Sequence, residues 1–438
     1  MRNRDDLASF WMPFTSNKAF KAKPRIIDRA DGFYFYDKEG REVIDGFSGM
    51  WCCHLGHNHP KLVEALVNQA KHLDYSPAFN FAHEGAIELS NVLADQYPDG
   101  LDHVFYGNSG SEAVETALKM AIAYHRIRGE GSRTRLIGRV NGYHGTGFGG
   151  ITIGGMVNNR KFFGSLLPGG DHLSLPYDAT TQAFTRGEPE VDVEPYMKEL
   201  EGIIALHDAS NIAAVIIEPF AGSGGVFIPP KGYLQRVREI TEKHGILLIV
   251  DEVISAFGRI GGVNASHTTG VKPDIVTLAK GINSAAVPMG AVVASSEIYN
   301  AFMDGTPHGV EFFHGYTYAS HPLAMATGLA AQEVYYEEGI YENVAAMSPY
   351  LEEAVHSLKG ERHVTDIRNI GMAAGLTLET RDNIPGARAL DVFVKAWELG
   401  AVIRNNGETL AIAPIMSMGK AEIDRIVDVV RQALNAVD

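Results

Sequence analysis

The sequence predicts an α/β protein with a mostly parallel sheet in its larger part and a separate α+β domain in its smaller part. Between residues 61 and 335, short apolar segments rich in β-branched residues alternate with helical patterns, as in strand–helix–strand units. Beyond them the order changes to helix, strands, helix, strands and a final helix, which is typical of an α+β domain. We therefore expect a large domain over residues 61–335 and a small domain over residues 336–438, which the N-terminal segment 1–60 joins.

Composition and charge argue against several classes of function. Of the 438 residues, 45% are hydrophobic and 21% are charged, which is ordinary for a globular enzyme. The formal net charge of -15 argues against nucleic acid or an anionic membrane as the main partner. The two cysteines, Cys52 and Cys53, are adjacent, so a disulfide framework is excluded. Because no apolar segment reaches membrane-spanning length and residues 1–10 lack the apolar core of a signal peptide, we expect a cytoplasmic protein.

The first elements in the chain are a hairpin and two helices. Residues 33–37 alternate aromatic side chains, and after a turn residues 43–45 supply a second strand. Residues 60–73 carry apolar side chains at helical spacing, and a second helix is expected over residues 84–97.

A Gly/Ser loop between a strand and a helix indicates an anion site. Residues 103–106 form the predicted strand, Gly107-Asn108-Ser109-Gly110-Ser111-Glu112 follows, and the helix starts directly afterwards. Ser109 and Glu112 fit a capping box. The free amides and the positive dipole end of such a helix favour a phosphate, although an ordinary well-capped helix has the same sequence signature.

The next strand, residues 135–140, leads into a glycine-rich segment. Residues 145–150 match the pattern G-x-G-x-x-G, but a dinucleotide site needs an amphipathic helix at once, and here more glycines follow and no helix is expected. A nicotinamide or flavin site is therefore not predicted. Tyr143, at the strand end, either stacks on a flat cofactor or is simply a buried tyrosine. Residues 156–195 look irregular and are interpreted as a long loop of the kind that covers active sites.

Three further buried strands end in charged residues. They are residues 212–217 before Glu218, residues 246–250 before Asp251, and residues 275–279 before Lys280. Ligands bind outside the carboxyl ends of the strands in open α/β sheets. A lysine held there is partly desolvated, which lowers its pKa and frees its amine as a nucleophile, whereas an aspartate can hold a proton on a ring nitrogen. This pair is what pyridoxal phosphate needs; the alternative is a structural ion pair between Asp251 and Lys280.

The remaining predicted elements complete the two domains. In chain order they are a helix over residues 232–244, a strand over 291–295, a helix over 324–338, strands over 365–370 and 374–378, a helix over 390–399, strands over 402–404 and 410–413, and a final helix over 421–436.

Cysteine and histidine residues that follow Trp51 do not match a standard metal site. Cys52, Cys53, His54, His57 and His59 are close in sequence, but adjacent cysteines rarely both bind one tetrahedral ion. We therefore predict no metal.

Nine short motifs occur in order along nearly the whole chain. They are Pro13-Phe14-Thr15, Gly49-Met50-Trp51-Cys52, Asn108-Ser109-Gly110-Ser111-Glu112-Ala113, Asn141-Gly142-Tyr143-His144-Gly145, Glu218-Pro219, Asp251-Glu252-Val253, Phe257-Gly258-Arg259, Ala279-Lys280-Gly281 and Gly315-Tyr316-Thr317-Tyr318. With these motifs the sequence resembles the class III aminotransferases, which are pyridoxal-phosphate enzymes of fold type I. It is most similar to their ω-amino acid:pyruvate branch, which includes β-alanine–pyruvate and amine transaminases.

The resemblance implies roles for individual residues. The implied cofactor-binding residues are Gly110, Ser111, Tyr143, His144, Glu218, Asp251, Val253, Lys280 and Thr317. The implied substrate-binding residues are Phe14, Trp51, Tyr143, Ser223 and Arg404. Lys280 and Asp251 would be catalytic: Lys280 would bind the cofactor covalently, and Asp251 would pair with the pyridine nitrogen. Thr317 would reach the phosphate of the neighbouring subunit, so the resemblance implies a homodimer or a higher homo-oligomer with shared active sites.

The implied reaction moves an amino group from an ω-amino acid or primary amine to pyruvate by a ping-pong mechanism. Relatives that use glutamate often carry an acidic residue at the position of Ser223, so Arg404 would remain free to bind a small monocarboxylate. The donor stays open among β-alanine, taurine, γ-aminobutyrate, putrescine and aryl amines. The alternatives are a 2-oxoglutarate-linked aminotransferase, an aminomutase or a decarboxylase, and, outside enzymes, a catalytically silent scaffold of the same fold.

Overall fold

The structure is a computed structural model that describes residues 7–306 and 308–438. Its strands are β1 (Ile27–Asp31), β2 (Tyr34–Asp37), β3 (Glu42–Asp45), β4 (Leu101–Gly107), β5 (Arg135–Val140), β6 (Gly154–Gly155), β7 (Gly170–Leu173), β8 (Ile212–Ile217), β9 (Leu247–Asp251), β10 (Ile275–Ala279), β11 (Gly290–Ser295), β12 (Val364–Ile370), β13 (Ala373–Leu378), β14 (Ala401–Val402), β15 (Arg404–Asn406) and β16 (Thr409–Ile412). Its longer helices are α1 (Pro60–His72), α2 (Glu84–Ala94), α3 (Gly110–Ile127), α4 (Glu194–His207), α5 (Tyr233–Lys243), α6 (Ser296–Gly305), α7 (Pro322–Glu337), α8 (Ile340–His356), α9 (Ala387–Leu399) and α10 (Lys420–Ala436). Shorter helical turns are Asn17–Ala22, Ser48–Trp51, Phe148–Ile153, Val157–Arg160, Ala179–Gln182, Ala209–Asn211, Gly222–Gly225, Ala265–Thr269 and Lys280–Asn283.

The central sheet is mostly parallel. Within the described residues its strand order is β4-β11-β10-β9-β8-β5-β6, and β7 also pairs with β5. The strands from β5 to β10 run parallel, whereas β11 is antiparallel to both β10 and β4. All residues of β8, β9 and β10 are buried, as in parallel strands that helices cover on both faces. The predicted α/β class is therefore confirmed.

The register of the parallel strands sets the functional edge of this sheet. In β8 and β9, Ile217 lies opposite Val250, so Glu218 and Asp251 leave their strands at the same level. In β9 and β10, Asp251 lies opposite Thr277, and Lys280 follows three residues later. All three charged residues thus emerge at one carboxyl edge.

Helices cover this sheet where the sequence predicts them. The predicted helices over residues 60–73 and 84–97 correspond to α1 and α2, and α2 ends three residues earlier than expected. One face of α3, which carries Val114, Ala117 and Ala121, is buried. In the part of the chain that the structure describes, no helix combines the length and the apolar character required to cross a membrane.

Segments from both ends of the chain share a smaller sheet, ordered β1-β2-β3-β14. The predicted hairpin is present as β2 and β3, and β14 lies parallel to β3 with Ala401 opposite Ile44. A third sheet has the order β12-β13-β16-β15. The prediction of a single strand over residues 402–404 is wrong, because the chain leaves one sheet after Val402 and enters the other at Arg404, with Ile403 buried between them.

The glycine-rich segment after β5 is helical, contrary to the expectation from sequence. Phe148–Ile153 forms a short helix, and the expected loop over residues 156–195 contains β7, which pairs with β5. A Cβ atom on Gly147 would lie only 2.3 Å from the carboxylate of Glu115 on α3. Tight packing against α3 therefore stabilises a helix that the intrinsic preference of glycine disfavours.

A carboxyl group is fully buried directly after β9. Glu252 accepts hydrogen bonds from the backbone amide of Ala265 at 2.5 Å and from the hydroxyl of Tyr97 at 3.5 Å. Burial raises the pKa of Glu252 to about 8. Its carboxyl group is therefore mostly protonated in the folded protein at neutral pH.

Two glycine substitutions should have opposite effects on stability. A Cβ atom on Gly138 in β5 would lie 1.9 Å from the backbone oxygen of Ile153, so Gly138→Ala should lower the free energy of unfolding by about 2 kcal/mol or more. Gly202 lies exposed in the interior of α4 with no atom near its Cβ position, so Gly202→Ala should stabilise by up to about 1 kcal/mol. Thermal unfolding of both variants measures this contrast, and equal shifts would contradict it.

Stability should also depend on pH through Glu252. Since its folded pKa lies near 8, above the value of an unfolded glutamate, its contribution is complete at acidic pH and is lost as the pH rises toward 8. For one group with this pKa, the loss between pH 6 and pH 8 is on the order of 2 kcal/mol. Glu252→Gln mimics the protonated acid, so denaturant titrations should show a smaller decline in this variant. An unchanged pH dependence would contradict the assignment.

Candidate active site

A cavity of about 120 Å³ opens at the carboxyl edge of the central sheet. Eight of the residues that the sequence implicated in cofactor binding line it: Gly110, Ser111, Tyr143, His144, Glu218, Asp251, Val253 and Lys280. They lie at or shortly after the ends of β4, β5, β8, β9 and β10, which the strand register brings to one edge of the sheet. The site is thus assembled at the edge where open α/β sheets bind their ligands.

Asp251 forms a buried hydrogen-bonded group at the end of β9. The Nδ1–H of His144 donates to its Oδ2 over 2.7 Å, and Oδ1 accepts from the Thr277 hydroxyl at 3.0 Å and from the Val253 amide at 3.1 Å. In the part of the chain that the structure describes, Asp251 makes no ion pair with Lys280. The alternative of a structural ion pair between these two residues is therefore not supported.

His144 has one buried ring nitrogen without a hydrogen-bond partner among the residues that the structure describes. The residue is 2% exposed, and its Nε2 has no hydrogen-bond partner within the described chain. Its other ring nitrogen orients the carboxylate of Asp251, which lies on the cavity and is suited to hold a proton on a heterocyclic ligand.

Lys280 leaves β10 in a strained conformation that turns its side chain into the site. Its φ of 50° lies in the left-handed region, which costs a non-glycine residue about 1 kcal/mol. Burial lowers the pKa of its ammonium group, although the carboxylates of Asp251 and Glu218 oppose that shift. More of the amine is therefore neutral than in an exposed lysine, as a nucleophile or general base requires.

The N-terminus of α3 forms another part of the cavity wall. The hydroxyl of Ser109 accepts from the Glu112 amide at 3.2 Å, but the Glu112 carboxylate accepts from the amide of Asn108 at 2.6 Å instead of from Ser109. The predicted capping box is therefore only half correct. Gly110 and Ser111 occupy the first positions of this long helix, where amides lack partners within the helix.

Two close approaches show why this wall needs glycine. A Cβ atom on Gly110 would lie 2.9 Å from Val253, and one on Gly145, whose φ is 87°, would lie 2.5 Å from the hydroxyl of Ser111. The hydroxyl of Ser111 also accepts from the Thr146 amide at 3.2 Å. Helix dipole, free amides and this hydroxyl together fit a phosphate group. With Lys280 and the Asp251–His144 pair on the same cavity, the residues fit pyridoxal phosphate.

Glu218 positions the loop that carries Tyr143. Its carboxylate accepts from the Tyr143 amide at 3.0 Å and from the Gly222 amide at 3.3 Å, and burial raises its pKa. Burial also raises the pKa of the Tyr143 hydroxyl. Glu218 thus ties the loops after β5 and β8 together at the cavity wall.

Arg404 lies beside the site without lining the cavity. It is half-buried on β15, where burial lowers its pKa and the nearby Tyr143 hydroxyl opposes this effect. Asn406, two residues later and hence on the same strand face, donates to the backbone oxygen of Ser223. The strand that carries Arg404 therefore packs against the helical turn that carries Ser223.

The other three predicted residues lie outside the cavity. Trp51 is 3% exposed and packs its ring edge against Phe220, which itself lines the cavity. Phe14 is 65% exposed, and Thr317 is exposed with its backbone oxygen accepting from the Tyr75 hydroxyl. The single chain therefore does not bring Phe14 and Thr317 to the cavity that holds Lys280.

Sequence reasoning missed Thr277 as a member of the site. It is the polar residue within the apolar strand over residues 275–279, and it is fully buried. A buried hydroxyl in a central strand needs a hydrogen-bond partner, and here the partner is Asp251. That requirement is the signal by which the sequence could have revealed it.

Comparisons with known proteins agree with this geometry. The family described as "Aminotransferase class-III" matches residues 15–434. The chain is 51% identical over 434 residues to an omega-aminotransferase from Caulobacter vibrioides, covering 99% of both chains. It is 45% identical over 435 residues to a beta-alanine–pyruvate aminotransferase from Pseudomonas aeruginosa, covering 99% of this chain and 96% of that one. Its fold matches the pyridoxal-phosphate-bound amine transaminase of an uncultivated Pseudomonas species with a TM-score of 0.91 and 32% identity over the full length of both chains.

These findings confirm the family, the fold type and the cofactor that the motifs implied. The match extends over nearly the whole chain and includes each strand end that contributes to the cavity. The chain therefore belongs to the class III aminotransferases, enzymes of fold type I that depend on pyridoxal phosphate.

Proposed function

We propose that this aminotransferase moves an amino group from an ω-amino acid or a primary amine to pyruvate by a ping-pong mechanism. The observation that carries the proposal is the placement of Lys280 and the Asp251–His144 pair on one cavity without an ion pair between Lys280 and Asp251. The choice of substrates is supported by the relatives at 51% and 45% identity, whose names are omega-aminotransferase and beta-alanine–pyruvate aminotransferase.

The chain's own residues would bind and orient the cofactor. The amides of Gly110 and Ser111 would hold its phosphate, and Tyr143 and Val253 would flank its ring. Asp251, oriented by His144, would keep a proton on the ring nitrogen. When bound, pyridoxal phosphate supplies an electron sink for charge that develops at the donor carbon.

Lys280 would be the covalent attachment point and the general base. Because burial lowers the pKa of its ammonium group, more of its amine is neutral than in an exposed lysine, which favours reaction with an aldehyde. Once released, its Nζ would take a proton from the amine-bearing carbon of the donor and return one in the second half of the cycle. The wall formed by Phe220 and the neighbouring apolar residues would keep water from this proton.

Arg404 would bind the carboxylate of the keto-acid acceptor. Its position beside Tyr143 and its limited exposure favour a bidentate contact with a carboxylate. Ser223 supplies no negative charge that would compete for Arg404, which favours a small monocarboxylate such as pyruvate. Trp51 and Phe14 would form walls of the substrate pocket. Phe14 would reach it only after a conformational change or in an assembled oligomer.

A homodimer or a larger homo-oligomer would complete the active site. Thr317 lies on a surface with exposed aromatic side chains, including Phe79 at 55%, Phe313 at 93% and Tyr318 at 61% exposure. Such an apolar surface favours burial against another protein, and a second copy would bring its Thr317 to the cofactor phosphate. The cytoplasmic location expected from the sequence stays a prediction.

Absorbance of the bound cofactor tests the reaction class. The purified enzyme should be yellow, lose its visible band on addition of β-alanine or a primary amine, and recover it with pyruvate. Lys280→Ala should bind the cofactor without covalent attachment and lose at least about a thousand-fold in turnover, since it lacks the general base. A decarboxylase or an aminomutase would not need pyruvate for each turnover. A colourless protein would indicate a catalytically silent scaffold, and normal turnover by Lys280→Ala would contradict the assignment.

The acceptor preference is tested at Ser223. In Ser223→Glu, a carboxylate beside Arg404 should compete with the acceptor and raise the KM for pyruvate roughly ten-fold or more, with the amine half-reaction little changed. Ser223→Ala removes the hydroxyl without adding charge and is the matched control. Steady-state kinetics with pyruvate and with 2-oxoglutarate measure this preference. A wild-type preference for 2-oxoglutarate, or the same KM for pyruvate in both variants, would contradict the proposal.

A further inference from the structure

The proposed reaction leaves two thiols beside the active site without a role. Cys52 and Cys53 are the only cysteines in the sequence, and both are free and half-buried. They lie between Trp51, which packs on the cavity wall, and His54. Any thiol chemistry of this protein must therefore take place at this pair.

The sulfur atoms of Cys52 and Cys53 both lie close to Gly49. A Cβ atom placed on Gly49 would lie 2.9 Å from Sγ of Cys53 and 3.4 Å from Sγ of Cys52. Gly49 has a φ of 64° and no side chain, so it leaves room for both sulfurs. The backbone amide of Met50 donates to Sγ of Cys52 at 3.4 Å, which favours an anionic sulfur there.

The surroundings divide the pair into a thiolate and a thiol. The neighbouring Cys53 thiol, with smaller help from the Met50 amide and the Lys280 ammonium, lowers the pKa of Cys52 to about 6. Burial and the carboxylate of Asp45 oppose this shift. The neighbouring Cys52 sulfur and burial raise the pKa of Cys53. An activated thiolate next to a second thiol is the arrangement of a nucleophile and its resolving partner.

The segment that carries Cys52 and Cys53 packs against the backbone of the turn Lys280–Asn283. A Cβ atom on Gly281 would lie 2.4 Å from the ring of His54. Gly281 directly follows Lys280. A displacement of the Cys52–His54 segment would therefore shift the turn that orients Lys280. The negative charge on Cys52 also raises the pKa of Lys280, and loss of that charge removes this effect.

We propose that Cys52 and Cys53 form a redox-active dithiol that a hydroperoxide oxidises reversibly to a vicinal disulfide beside Lys280. The Cys52 thiolate attacks one peroxide oxygen, the O–O bond breaks, and the departing oxygen takes up a proton as an alcohol or water. Cys52 is then a sulfenic acid. The sulfur of Cys53 attacks it, the S–S bond forms, and the S–O bond breaks. The hydroxyl leaves as water with the proton of Cys53, so the dithiol loses two electrons and two protons to the peroxide.

Reversibility follows from the covalent geometry. Adjacent Cα atoms lie about 3.8 Å apart across a trans peptide bond, which is shorter than the usual separation of disulfide-linked residues. The resulting ring is strained, and strained disulfides have the higher reduction potentials of labile bridges. A small dithiol should therefore restore the reduced pair.

Peptide mass spectrometry of the peroxide-treated holoenzyme tests the proposal without using activity. The wild-type peptide that contains both cysteines should lose two hydrogen atoms and regain them with dithiothreitol. Cys53→Ser should stop at the sulfenic acid, which dimedone captures, and Cys52→Ser should react at least about ten-fold more slowly because it lacks the thiolate. A wild-type peptide that stays reduced, gains oxygen atoms without losing hydrogen, or joins another chain would overturn the proposal.

Activity supplies the second measurement. Wild-type turnover should fall with formation of the disulfide and return with dithiothreitol, whereas a variant with serine at both positions should resist the same peroxide dose. Equal loss in that variant would place the sensitive group elsewhere and overturn the link to Lys280. Since the mass change requires no turnover, failure of this proposal can be distinguished from failure of the proposed transamination.

Discussion

The parallel hydrogen bonding of β9 to β10 is the constraint on which the site depends. It aligns Asp251 with Thr277 and sends Lys280 out of the same edge of the sheet. Because Thr277 and His144 form hydrogen bonds with the carboxylate of Asp251, its buried oxygens have partners without an ion pair to Lys280. The lysine amine is then available for covalent chemistry.

A second constraint connects the small C-terminal sheet to the cavity. Arg368 on β12 donates to the backbone oxygens of Gly225 and Val226, at 2.7 and 3.2 Å, and Asn406 on β15 donates to that of Ser223. The loop after Glu218 is thereby fixed from two strands of another sheet. Arg404 belongs to the same sheet, so its distance from Tyr143 depends on how the two sheets pack. The proposed contact of Arg404 with the acceptor would thus depend on a sheet whose strands do not line the cavity.

Glycine has a structural role at the points where backbones meet. Because Gly145 and Gly147 have no side chain, the hydroxyl of Ser111 can approach Gly145 and the carboxylate of Glu115 can approach Gly147. The segment after β5 can therefore pack directly against α3. The same close packing explains why this segment is helical although its sequence favours a loop. Local preference was overridden there because buried contacts with α3 outweigh the entropy cost of ordering glycines.

The sequence alone determined the strands that end at Glu218, Asp251 and Lys280, since apolar β-branched runs that stop at a charge are a local signal. It also determined the family, because the motifs are short and continuous. Only the tertiary structure decided that Asp251 binds His144 and Thr277, that residues 402–404 divide between two sheets, and that Phe14 and Thr317 lie away from the cavity. These features depend on the register and packing of segments far apart in sequence, which no local pattern of residues encodes.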